Sequence, residues 1–347
     1  MKKMPKKEKK KSWKERQRER QTKQQHVQEA YKIQSEKEAK KKPRKWPKGK
    51  IYVAICLIFL ILGAYVVWQY TNTANPSDGT TPISPTAGVI YIRPDGQINP
   101  STAPISKVGD SYYKFTADIN DQIIVEKDNI TIDGANHLLQ GAGEYYSKGI
   151  DLTERSNVTI TNLEITGFDY GVYLSTASNN VLLHNNFKNN YCGIWIVAYS
   201  NDNIISGNNI ESNEMYAIWL KESLNNKISE NRITSHTNYS IYVRASNYTT
   251  FSANTIEDNM LGFFFYEASD NILYHNNIIN NMNQGSTLTS TNVWSSDSSS
   301  GGNYWSDYEI RYPDAMESDG SGIWNTPYVI DDDNQDNYPL VNPWIID

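Results

Sequence analysis

The sequence predicts an all-β fold: a parallel β-helix of about seven coils, preceded by a basic tail and one transmembrane helix. Three observations predict it. Apolar residues recur in columns that step by 22–24 residues. Each period has room for three short alternating strands and none for a helix. Asparagine, a poor strand former, returns at a fixed place in every period, as in "NDNIISGNNIESN" at 201–213.

The elements follow in chain order. The 347 residues carry a formal net charge of −6, which hides two opposed blocks. Residues 1–50 hold 21 Lys or Arg against 6 Asp or Glu, and the remainder holds 12 against 33. The tail, 1–49, has helical propensity but almost no apolar face. It reads as a solvated segment that enforces topology, with anionic lipid heads as its next partner; no aromatic interleaving favours nucleic acid. Residues 50–70 contain the charge-free run "IYVAICLIFLILGAYVVWQY". About 20 apolar residues span a bilayer core, and Trp46, Trp68 and Tyr70 suit its two interfaces. A cleaved signal peptide needs a far shorter basic region than this one and a better cleavage site than "TNTA" at 71–74. The expectation is a signal-anchor helix in the cell membrane, its basic end cytoplasmic and everything after it extracellular. Cys56 falls in that helix and Cys192 beyond it, so no disulfide framework forms.

Residues 71–88 are a Pro/Thr/Ser linker, 89–290 the β-helix and 291–347 a C-terminal cap segment. Ile160, Leu182, Ile205, Ile228, Phe251 and Leu273 form one apolar column. Ile165, Phe187, Ile210, Ile233, Ile256 and Ile278 form a second. Val172, Ile194, Ile218, Ile241 and Phe263 form the third, each followed two residues on by another apolar residue. Stacked at about 4.8 Å, each column becomes a continuous buried ladder. Asn185, Asn208, Asn231, Asn254 and Asn276 fall at the bend between the first two columns. They are expected to adopt the left-handed conformation there and to bond the copies above and below.

Chemistry is sought on the outward positions of the third strand. These read Asp151, Tyr173, Trp195, Trp219, Tyr242 and Phe264, an aromatic stripe of the kind on which sugar rings stack. Aromatics are also good β-formers and can simply cover a sheet. The next outward position places Lys221 and Arg244 beside Trp219 and Tyr242, a pair suited to a uronate or sulfate group. A lyase or epimerase site needs a cation for the carboxylate and a base for the C5 proton, and Lys221, Glu222, Tyr242, Arg244 and Glu267 can be assembled into one. Asp319, Asp331, Asp333 and Asp336 offer oxygen ligands to calcium, without the spacing of an EF-hand. The histidines are scattered: His184 and His275 share a corner four coils apart, roughly 19 Å, and no Met/His or Cys/His cluster converges on copper. Asn129, Asn157, Asn238 and Asn247 head glycosylation sequons on the exported side.

"VIYIRPDGQINPSTAPI" at 89–105, "NITIDGANHLLQG" at 129–141, "GGNYWSDY" at 301–308 and "TPYVIDDDNQDNYPLVNPW" at 326–344 resemble the NosD-like right-handed β-helix proteins, especially those on archaeal surfaces. The resemblance covers nearly all of the exported region. It implies a right-handed β-helix capped at both ends and membership in the carbohydrate-binding and sugar-hydrolase β-helix group. It also brings a copper-accessory label and no catalytic residue. Where the family shows an acidic "GDGIGD"-like turn, this chain has "GSGIWN" at 320–325, with Ser321 and Asn325 in place of acids. The reading is a membrane-anchored, non-catalytic surface module that binds polysaccharide or a surface glycan, or serves in the cell envelope. A polysaccharide lyase or epimerase is one alternative; a structural or adhesin-like stalk contacting envelope proteins is the other.

Overall fold

The computed structural model describes residues 88–346. The basic tail, the segment expected to span the membrane and most of the linker lie outside the described residues. Among the described residues no helix is long and apolar enough to cross a membrane.

The chain winds as a right-handed parallel β-solenoid of about eight turns, one more than the repeat spacing predicts. The additional turn is N-terminal. There Ile90, Ile123, Ile150 and Val172 are successive partners, separated by 33, 27 and 22 residues, so the first coils carry longer connections that break the period. The solenoid strands form three sheets of ten, nine and eight strands, and a two-stranded hairpin stands apart from them. In the ten-stranded sheet the rungs include Tyr170–Ser175, Cys192–Val197, Tyr216–Lys221, Tyr239–Arg244 and Leu261–Tyr266, all parallel neighbours.

The three apolar columns are in register, and the side chains from Val172 to Phe263 and from Ile165 to Ile278 are fully buried. Alternation puts one residue of each strand into the core and its neighbour outside, so each coil adds one rung to each ladder. Gly171 explains the small residue that precedes the third column: a Cβ there would lie 2.5 Å from the Gly193 carbonyl oxygen on the next coil.

The asparagines stack as expected, but they are not the left-handed residues. Those are His184, Gly207, Glu230, Ala253 and His275, each immediately before a ladder asparagine. The preceding residue turns the chain, which aims the asparagine side chain inward. Asn208 Nδ2 donates to Asn231 Oδ1 at 2.9 Å, and Asn231 Nδ2 to Asn254 Oδ1 at 3.0 Å. Two further ladders occupy the other corners, one through Asn180, Asn203 and Asn226, the other through Asn190 and Asn213.

Both ends are closed. The antiparallel hairpin Ile105–Val108 with Tyr112–Phe115 covers the N-terminal edge of the nine-stranded sheet. At the other end Trp294 and Trp305 plug the core, a short helix Tyr308–Arg311 follows, and the hairpin Tyr328–Asp331 with Asn334–Asp336 finishes two of the asparagine ladders.

Candidate binding face

Tyr173, Trp195, Trp219, Tyr242 and Phe264 lie in register on five adjacent rungs of the ten-stranded sheet and are half-buried. A second aromatic column, Tyr170, Tyr216 and Tyr239, runs beside them. Sequence reasoning missed it, although each of the three precedes a stripe aromatic by three residues. The two columns interlock. Trp195 and Trp219 are parallel to within 5° with centroids 4.6 Å apart, Tyr216 stacks on Trp219 at 4.8 Å, and Tyr239 stacks on Phe264 at 5.6 Å.

This stacking changes what the stripe can do. From Trp195 to Phe264 the rings on neighbouring coils turn their faces onto one another, so a sugar lying along that stretch meets ring edges; Tyr173 meets Trp195 edge-on, at 70°. The expectation of an open stacking platform therefore gives way to a rigid aromatic floor. The floor carries a penalty at two points: the indole N–H groups of Trp195 and Trp219 are buried with no acceptor among the described residues. Each orphaned donor costs on the order of 1–3 kcal/mol, and phenylalanine, as at Phe264, would stack without that cost.

Lys221 and Arg244 are brought together as anticipated, directly opposite one another on adjacent rungs. Lys221 Nζ lies 3.5 Å from Glu222 Oε1, and the Arg244 guanidinium sits 5.3 Å from the centre of the Tyr266 ring. Arg244 makes no ion pair with a carboxylate among the described residues, and both cations border the aromatic floor. A third cation, Lys148, lies over Tyr173 but is held by Asp151 at 2.6 Å. Burial pushes the Tyr242 phenol above its ordinary range, with the Arg244 charge pulling the other way and Tyr239, Tyr266 and Glu267 adding to the rise. A phenol held up in this way stays protonated at neutral pH, which suits hydrogen bonding better than proton abstraction.

The other predicted sites are dispersed. Asp336 is fully buried and ends an asparagine ladder, accepting from Asn303 N at 2.7 Å and Trp305 Nε1 at 3.0 Å; burial pushes its pKa up to about 7. Asp331 accepts from Thr287 Oγ1 and from Asn334 Nδ2, bracing the last hairpin. Asp319 and Asp333 are exposed, and the four candidate calcium ligands do not form a common group among the described residues. Of the sequon asparagines, Asn129 and Asn157 are exposed on neighbouring coils, where Asn157 Nδ2 donates to Asn129 Oδ1 at 3.1 Å. Asn238 and Asn247 are half-buried, and Asn247 accepts from Ser269 N at 2.9 Å.

The family model described as periplasmic copper-binding protein (NosD) matches residues 109–310. The chain belongs to this family. No curated protein matches the NosD-family chain. Among solved structures it is similar to the periplasmic alginate epimerase AlgG, with 19% identity, a TM-score of 0.45, and coverage of 52% of this chain and 47% of that one. It is also similar to DFA-IIIase from Arthrobacter chlorophenolicus A6 in complex with DFA-III, with 12% identity and a TM-score of 0.39 over 57% of this chain and 48% of that one. A third is the enzymatically active domain of bacteriophage CBA120 tailspike protein 2, with 11% identity and a TM-score of 0.39 over 60% of this chain and 39% of that one. The chain spans about half the length of these structures or less, and the likeness is one of fold.

The described residues do not fit a copper site. No three His, Cys, Asp or Glu side chains converge among them. His137 pairs with Asp118, and His275 stacks on Trp344 and contacts the Ser300 carbonyl. Both ring nitrogens of the buried His236 face backbone carbonyls, of Asn213 and Ile210. Cys192 is sealed in the core, where burial raises its thiol pKa and so opposes the thiolate that would bind metal.

Proposed function

We propose that this chain is a membrane-anchored extracellular module that binds an acidic polysaccharide along the ten-stranded sheet, without chemistry on it. One observation carries the reading: Lys221 and Arg244 stand opposite one another on adjacent rungs, beside the aromatic floor. Two cations at a strand spacing of about 4.8 Å suit the carboxylates or sulfates of a chain running along the solenoid axis. Each charge-assisted hydrogen bond contributes on the order of 1.5–3 kcal/mol before screening. A binding role is favoured over a lyase or epimerase because the residues available for catalysis, Lys221, Glu222, Tyr242, Arg244 and Glu267, include a phenol shifted away from basicity and a lysine shared with a carboxylate. The sugar-active enzymes with a similar fold are compatible with a polysaccharide partner and do not identify one.

The test presents the full chain in detergent with polygalacturonate, dextran sulfate and neutral dextran, reading binding and the ultraviolet absorbance of unsaturated products in the same wells. The expected outcome is binding of the acidic polymers without product. Product would instead make Lys221 and Arg244 part of a lyase site. Equal binding of neutral dextran, or no binding at all, would overturn the reading.

A further inference from the structure

One rung of the solenoid is a residue too long. From the inward residue Leu174, Leu220, Val243 or Phe265 to the next buried corner position, Asn180, Asn226, Thr249 or Asn271, the chain takes six steps. From Ile196 to Asn203 it takes seven. The additional residue is accommodated at Ala198 and Tyr199, which are both left-handed, with φ of 55° and 62°; this connection has three left-handed residues, with Asp202, where its neighbours have two, Glu222 with Asn225 and Ala245 with Tyr248. The backbone records the same bulge: Thr176 N reaches both the Val197 and the Ala198 carbonyls, at 3.3 and 3.1 Å, and Tyr199 N donates to Glu222 O at 2.7 Å. A left-handed non-glycine residue is strained, and a bulge re-aims the side chain it carries. Here that side chain is a tyrosine 70% exposed, making no contact with another ring among the described residues.

We propose that the bulge exists to display Tyr199 as the open sugar-stacking surface that the interlocked ladder lacks, beside the Lys221 and Arg244 pair. This rests on the reading of that face as an acidic-polysaccharide site and deepens it: a uronate residue would lay its C–H face on Tyr199 while its neighbours' carboxylates reach the cations one and two coils on. The occupant is set by the cations: Val197, two residues before Tyr199, is the partner of Lys221, while Glu222, whose carbonyl accepts from Tyr199 N, has its carboxylate 3.5 Å from Lys221 Nζ. Tyr248, also exposed and left-handed, sits at a regular corner position further round from Arg244 and is not expected to contribute.

The test measures polygalacturonate affinity for the full chain and for Tyr199→Ala, Tyr199→Phe, Tyr248→Ala and the double variant Lys221→Ala/Arg244→Ala. Tyr199→Ala is expected to weaken binding by about fivefold, the scale of one aromatic contact, with Tyr199→Phe and Tyr248→Ala close to wild type. Unfolding temperature should not change with Tyr199→Ala, since the ring is largely in solvent. Weakening by the double variant but not by Tyr199→Ala would overturn the role of Tyr199 and leave the face intact. Equal weakening by Tyr248→Ala would replace a specific stack with general surface aromaticity. No binding by wild type would overturn both.

Discussion

Asn231 is fully engaged in the solenoid. Its Nδ2 donates to the Ile205 carbonyl at 2.8 Å and to Asn254 Oδ1 at 3.0 Å, while its Oδ1 accepts from Asn208 N at 3.0 Å and Asn208 Nδ2 at 2.9 Å. Truncation strands buried partners on both neighbouring coils. Asn231→Ala is therefore expected to destabilise by roughly 3 kcal/mol or more, read as a lower urea midpoint at an unchanged slope. His236 takes an asparagine's place in another ladder, donating its own backbone N–H to Asn259 Oδ1 at 2.9 Å. Burial lowers its pKa from 6.5 to about 4. Between those values the unfolded chain binds a proton that the folded chain refuses, so this group's contribution to stability falls as pH drops through 6.5 towards 4. His236→Asn removes that loss, and its stability relative to wild type should improve by about 2 kcal/mol between pH 8 and pH 5. A difference that stays constant with pH would contradict the assignment. The role of asparagine was legible at one corner because five copies share one spacing. At the other corners Thr249 and His236 interrupt the series, so those ladders emerge only from the hydrogen bonds.

At the level of elements, the three strands per coil were legible from residue 160 onward, where the step stays at 22 or 23 residues in the first two columns. The first coils were not, because their long connections remove the period while the pairing of Ile90 with Ile123 persists. The outward aromatics and the Lys221/Arg244 pair were legible for the same reason as the core: alternation fixes which side of a strand a residue occupies. Ring orientation is not fixed by alternation, since it depends on the side chains of two adjacent rungs, so the closing of the stack had no signal in one strand. The small residues at the strand corners did have one. Gly171 faces the Gly193 carbonyl so closely that Gly171→Val must push two coils apart, and a loss of at least about 2 kcal/mol in thermal or urea unfolding is expected. An unchanged midpoint would show that the corner yields more readily than its geometry implies.

For the molecule as a whole, the charge distribution sets the terms of binding. Residues 51–347 carry 12 basic and 33 acidic side chains, so this part of the chain repels a polyanion at long range. At 0.15 M salt the Debye length is about 8 Å, which screens distant carboxylates while leaving contacts at Lys221 and Arg244 effective. Affinity for a polyuronate should thus be low at very low ionic strength, pass through a maximum near physiological salt, and fall again as the direct contacts are screened. A purely apolar interaction has no such maximum. The most direct test is a titration of polygalacturonate into the full chain and into Lys221→Ala/Arg244→Ala at about 0.15 M salt. Wild type is expected to bind measurably and the double variant at least tenfold more weakly, equivalent to about 1.4 kcal/mol, with the unfolding temperature unchanged. Equal affinity in the two proteins would contradict the claim that this face of the solenoid holds an acidic polysaccharide.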